Sequence, residues 1–219
     1  MTIAVGESGA LEGNMTKDIQ WLGHDTFKIL GDRVVYTDPF RLKAKDAADI
    51  IFITHEHHDH CSPEDVQKIL QPDTIIVAPA DCAEKLSGHV KVVKPGDKFS
   101  VAGIEIEVVP AYNTNKQFHT KDMGWVGYIF AVNNKRLYLA GDTDFIPEMK
   151  TLRNIDIALL PVSGTYVMTA EEAAEAALTI RPKRAIPMHY GTIVGSRKDA
   201  EIFAEKLRGK VDVIILPPE

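Results

Sequence analysis

Thr54-His55-Glu56-His57-His58-Asp59-His60 places four of the chain's eight histidines within six positions. Neutral imidazoles and a carboxylate at this spacing make a donor set for a first-row metal such as zinc, iron or manganese. His55 and His57 lie two apart on a segment leaving an extended run, so their side chains point to one side. Asp59 and His60 follow as the chain turns, and face a second point close to the first. His58 faces away and takes no part. The bland alternative is an exposed polar loop, which has no reason to concentrate histidine.

Two further donors lie downstream, Asp142 in Gly141-Asp142-Thr143-Asp144 and His189 in Pro187-Met188-His189-Tyr190-Gly191-Thr192. Singly, an Asp in a Gly-Asp turn and a lone His are ordinary structural residues. Each, however, follows the end of an apolar strand pattern, where layered α/β sheets place their sites. One carboxylate can also bridge two metals.

The elements that position these residues are legible in outline. Strands are expected over 19–22, 26–30 and 33–38, and over 49–54, a continuous apolar run that suits burial on both faces. Ser62-Pro63-Glu64-Asp65 starts a helix, with Ser62 as cap, Pro63 at the first position and two acids at the positive end of the dipole. A strand over 74–78 and a short helix over 79–86 follow. A β-rich middle then spans 90–93, 98–101, 104–110, 124–132 and 135–140, with Asn133-Asn134 as a tight hairpin turn. The last third alternates: strand 156–161, helix 169–180 with Thr169 and Glu172 as a capping box, strand 185–188, helix 199–207 and a closing strand over 211–216. Strands flanked by helices at both ends, with antiparallel hairpins between, indicate mixed sheets with outer helices.

Composition narrows the function classes. The 219 residues are 45% hydrophobic and 26% charged, which fits one globular domain over 17–219 after a Gly-rich tail over 1–16. A net charge of −6 argues against a general nucleic-acid binder. Two cysteines, Cys61 and Cys82, form no disulfide framework and no CxxC motif. The first residues lack the basic and apolar regions of a signal peptide, and no apolar run is long enough for a membrane span. A cytoplasmic protein that acts on a small molecule is expected, with oligomerisation left open.

HEHHDH, then GDTD, then PMHYGT, after an opening GHDTF…YTDPF, resembles the metallo-β-lactamase superfamily over about 19–217. The similarity is to its small metal-dependent hydrolase branch, related to ascorbate-phosphate lactonase. That resemblance implies an αββα sandwich: two mixed β-sheets packed face to face, helices outside, and a site for two divalent metal ions, Zn2+ first and Mn2+ or Fe as alternatives, at one edge. By motif, one metal takes His55, His57 and a third histidine. The other takes Asp59, His60 and His189, with Asp142 bridging. Asp38 in Thr37-Asp38-Pro39-Phe40 matches an aspartate that fixes an imidazole tautomer, its alternative being an Asp-Pro turn.

The third histidine departs from the simplest pattern, because Ala111-Tyr112-Asn113 stands where many relatives carry it. Either a loop swings His119 back, or Asn113 ligates weakly, or the site is effectively mononuclear. His24 in Gly23-His24-Asp25 matches a recurrent motif of the branch and is otherwise a turn residue. Cys61, beside the cluster, is read as passive.

The resemblance implies hydrolysis of a small ester, lactone, amide or phosphoester by a metal-activated hydroxide, with Asp59 and Asp142 orienting it. Loops over 112–121, 163–168 and 190–197 would set the substrate. Lys116, Lys121, Arg197 and Lys198 either meet an anionic substrate or are solvated surface charges. A phosphodiesterase acting on nucleotides or phospholipid head groups, and an iron-dependent redox enzyme, are the alternatives on the same fold.

Overall fold

The computed structural model describes residues 17–43 and 46–219, so the tail expected over 1–16 lies outside them. Six strands form the first sheet in chain order: β1 (Ile19–Gly23), β2 (Thr26–Ile29), β3 (Val35–Thr37), β4 (Ile50–Phe52), β5 (Ile75–Ala78) and β6 (His89–Val92). The first three pair antiparallel, while β3 to β6 run parallel. The second sheet repeats this plan with β7 (Lys98–Val101), β8 (Ile104–Pro110), β9 (Val126–Val132), β10 (Lys135–Leu139), β11 (Ile157–Pro161), β12 (Arg184–Met188) and β13 (Asp212–Val213). Its hairpins β7–β10 are antiparallel and β10–β13 parallel.

Strand periodicity decides what each layer buries. Ile50 and Phe52 face the second sheet, whereas Ile51 and Ile53 face outward into a smaller cluster with Val66 and Ile69 of α1 (Pro63–Ile69). Between the sheets, Phe52 packs on Tyr128 and Phe130 at ring-centroid distances of 4.8 and 4.6 Å. Full burial of side chains this large contributes about 1.5–3 kcal/mol each. Tyr128 keeps its hydroxyl satisfied by donating to the Ile53 carbonyl at 2.7 Å, which also ties β9 to the exit of β4. A short helix, α2 (Ala80–Ala83), follows β5, and α3 (Ala170–Ile180) and α4 (Arg197–Leu207) accompany the parallel half of the second sheet. This is the αββα sandwich.

Local signals translate closely. Ser62 accepts from the Asp65 N–H, Thr169 and Glu172 form the capping box, and Asn133 and Asn134 both adopt positive φ in the β9–β10 turn. Three expectations need correction. The helix expected over 79–86 keeps only Ala80–Ala83. The helix expected from 199 begins at Arg197, because Asp199 accepts from the Ser196 N–H and caps the chain earlier. The closing strand over 211–216 pairs with β12 only at Asp212–Val213. Beyond it the chain crosses toward the other sheet, where Pro218 bridges to Trp21, and Pro217 and Pro218 have no N–H to extend a ladder. Two 3-10 turns, Lys121–Met123 and Pro147–Thr151, had no counterpart in the sequence pattern.

Candidate metal centre

Parallel strands of both sheets end at one edge, and their exits deliver the donors. After β4 come His55, His57, Asp59 and His60; after β10, Asp142; after β12, His189. Gly141 adopts φ +66°, and a Cβ there would lie 3.0 Å from the Val126 carbonyl and 3.1 Å from Thr54 Cβ. Only glycine lets the chain turn in that space and aim Asp142 at the edge. His24, Asp38, His119 and His189 all hold positive φ, an uncommon state for non-glycine residues that collects at functional sites.

Two clusters result. In the first, His57 Nδ1 lies 3.1 Å from His55 Nε2 and 3.1 Å from His119 Nε2. One ring N–H cannot satisfy two such neighbours, whereas tetrahedral bonds of about 2.0–2.1 Å to a cation hold ligand nitrogens about 3.3 Å apart. The second gathers His24, Asp59, His60 and His189. Asp142 faces both: Oδ2 is 3.2 Å from His119 Nε2, 3.1 Å from His189 Nε2 and 3.9 Å from His55 Nε2, and Oδ1 is 3.5 Å from His60 Nε2. His60 Nε2 and Asp142 Oδ1 are buried with no hydrogen-bond partner. Orphaned donors of this kind, converging on one edge, fit a bound cation.

Back-side contacts set the tautomers. Asp38, fully buried, accepts from the Thr54 N–H at 2.8 Å, Thr54 Oγ1 at 2.7 Å and His60 Nδ1 at 2.9 Å. With its own proton given to Asp38, Thr54 Oγ1 accepts from His55 Nδ1 at 3.0 Å, and Ser163 Oγ lies 3.0 Å from His189 Nδ1. An Nδ1–H held in this way leaves the Nε2 lone pair of the neutral ring for a cation at the centre. His24 Nε2 donates to Asp59 Oδ2 at 3.0 Å. His119 returns to the site because the Asn113 N–H donates to the His119 carbonyl at 2.7 Å and closes the intervening loop. The Asn113 amide, meanwhile, donates to the carbonyls of Phe118 and Tyr166 and sits on the Nδ1 side of His119. That places Asn113 behind the histidine instead of in its stead.

The match to known proteins decides the family. Residues 18–189 match the model of the beta-lactamase superfamily domain. The chain belongs to the metallo-β-lactamase superfamily. It is 32% identical to a UPF0173 metal-dependent hydrolase of Thermococcus onnurineus, over 91% of this chain and 96% of that one. A crystal structure of a candidate metal-dependent hydrolase from Parabacteroides distasonis superposes with a TM-score of 0.81 at 38% identity, covering 90% of this chain and 91% of that one. Igni18, a metallo hydrolase of Ignicoccus hospitalis, gives a TM-score of 0.75 at 25% identity over 91% and 94% of the two chains. The protein is a metal-dependent hydrolase of this superfamily.

Other parts of the hydrolase's site escaped the sequence. Trp125 packs its ring on His55, His57 and His119 at centroid distances of 4.8, 4.9 and 5.4 Å, and its Nε1 donates to Asp81 at 2.7 Å. The parts of Thr54 and Ser163, the oxygens behind two imidazoles, likewise went unread, although Thr54 opens the histidine motif and Ser163 begins an expected substrate loop. Lys116 pairs with buried Asp144, Lys121 with Glu148 and Arg197 with Glu201, so three of the four cations weighed as substrate contacts or surface charges already hold carboxylates. Cys61 is buried in the smaller apolar cluster beside α1. His58 is 81% exposed at its side chain and faces away.

Burial holds His55 and His57 below the usual histidine range and His119 at about 4. Burial also pulls on His60, but Asp142, Asp38 and Asp25 together lift it well above that range. A histidine raised in the folded state stabilises the metal-free protein below its unfolded pKa of about 6.5, and that contribution fades as pH rises through the raised value. A cation must displace this proton, so its affinity should fall as pH is lowered. Calorimetric Zn2+ titrations in buffers of different ionisation enthalpy should show net proton release; pH-independent binding with none released would contradict the assignment.

Proposed function

We propose that this hydrolase binds two divalent cations, Zn2+ first, and cleaves a small ester, lactone or amide at the shared edge of its sheets. The observation that carries the reading is Asp142, one buried carboxylate turned toward both histidine clusters. His55, His57 and His119 would hold one cation and Asp59, His60 and His189 the other, with Asp142 common to both. Two cations held there would supply water activation at neutral pH and polarisation of the oxygen under attack.

The chain's own residues do the rest. Asp38, Thr54 and Ser163 hold three imidazoles in one tautomer, so little reorganisation accompanies reaction. His24 fixes Asp59, whose side chain is 15% exposed and so borders the opening where a substrate arrives. Phe118 and Tyr166 meet edge to face at 5.1 Å beside His119 and offer an apolar contact. Committed lysines favour a carboxylic ester or lactone over a phosphoester. No helix among the described residues is long and apolar enough to cross a membrane. The unpaired Cys61 and Cys82 suit a reducing cytoplasm.

Elemental analysis of purified wild type beside His119→Ala tests the centre, and p-nitrophenyl acetate against bis-p-nitrophenyl phosphate tests the chemistry. We expect near two metals per chain falling toward one in the variant, with the carboxylic ester the better substrate. One metal per chain, unchanged in His119→Ala, would sink the dinuclear reading.

A further inference from the structure

Asp25 lies in the turn between β1 and β2, next to His24 and outside the HEHHDH, GDTD and PMHYGT motifs. It is wholly buried, and neither carboxylate oxygen has a hydrogen-bond partner. Oδ2 is 3.9 Å from His60 Nδ1, too far to accept a proton that Asp38 already takes at 2.9 Å. A carboxylate oxygen of Asp25 also falls within 4.8 Å of Asp142 and His189 donor atoms. The position is not slack, since the Asp25 carbonyl accepts from Thr37 Oγ1 at 2.7 Å and the next residue, Thr26, donates its hydroxyl to the Asp38 carbonyl at 2.6 Å.

A buried carboxyl without partners is costly, and crowding it against Asp38 and Asp142 adds like-charge repulsion. Filling the space would need only an amide or a small neutral side chain. Nearby positive charge is what offsets a buried anion. In the metal-free protein His60, 3.9 Å away and already engaged with Asp38, offers some positive charge nearby; the larger charge that this edge is built to receive is the cation on the Asp59–His60–His189 side.

We propose that Asp25 is a positioning residue for that cation: from behind His60 its carboxylate balances the cation's charge and holds it in place, at the expense of the metal-free fold. The inference rests on the dinuclear reading and adds to it a residue that donates no ligand. It requires two effects of opposite sign. Neutralising Asp25 should weaken one cation and leave the metal-free protein as stable or more so. A merely structural residue would destabilise both forms alike.

The test compares wild type with Asp25→Asn and Asp25→Ser, stripped with chelator and then titrated with Zn2+ against a chelating indicator, with Tm measured on both forms. Wild type should take two equivalents. Each variant should keep one equivalent of wild-type affinity and bind the other about 10–100-fold more weakly, as for other residues behind metal ligands. The metal-free Tm of Asp25→Asn should equal or exceed that of wild type. Two equivalents bound as tightly as in wild type would overturn the inference alone. So would a metal-free Tm that falls as far as the Zn2+-loaded one, or failure of both variants to fold. A wild type that takes up fewer than two equivalents would overturn the dinuclear reading itself, and this inference with it.

Discussion

Asp142→Asn is expected to leave the sandwich folded, lower bound metal below two per chain and cut kcat by on the order of 10³-fold, the equivalent of several kcal/mol of lost charge stabilisation. The size follows from position. Asp142 Oδ2 lies within 3.2 Å of the ring nitrogens of both His119 and His189, and Oδ1 faces the unpartnered Nε2 of His60. The amide preserves the shape and removes the charge. It leaves a cluster of imidazoles with no carboxylate between its halves, and two cations there would repel. Burial alone would push the Asp142 carboxyl up, but His189 and His60 hold it well below the usual carboxylate range. Elemental analysis, Tm and turnover of a p-nitrophenyl ester read the three effects separately. Two metals retained with activity within tenfold of wild type would remove Asp142 from the centre.

Metal depletion should have the second large effect, on stability. A ligand that binds only the native state stabilises it by about 4 kcal/mol at a thousandfold excess over Kd. For a chain of this length each kcal/mol moves Tm by about 2–4 °C. Stripping one such cation should therefore lower Tm by roughly 8–16 °C, and Zn2+ should restore it. The fold itself should persist without metal, because the core between the sheets, from Phe52 to Tyr128 and Phe130, needs no ligand. The unpaired nitrogens and oxygens at the edge are what lose their partner. Scanning calorimetry before and after chelation checks this. A Tm that does not change would mean that the clusters do not hold a cation with useful affinity.

Residue order alone determined a good deal. His55-x-His57-x-Asp59-His60 follows an apolar strand, and the strand's period of two turns the first two imidazoles to one side within a few residues. Capping at Ser62 and Thr169 and the Asn133-Asn134 turn are also short-range effects, which is why they were legible without a fold. Asp142 and His189 were found for the same reason, each marking where an apolar strand stops.

Convergence was decided elsewhere. His119 reaches His57 from 62 residues away, and the loop that brings it there closes on a main-chain hydrogen bond from Asn113 that no side-chain pattern announces. Trp125 under three imidazoles, Ser163 behind His189, and Lys116 claimed by Asp144 are all contacts between separate strands' ends. They depend on how two twisted sheets meet. The burial of Asp25 belongs to the same class, since nothing in Gly-His-Asp-Thr-Phe distinguishes a turn aspartate in water from one sealed beneath the histidines. Local order set which residues could bind a metal, through short-range backbone geometry. Only the packing of the two sheets, a long-range effect of apolar burial, decided which of them meet and what stands behind each one.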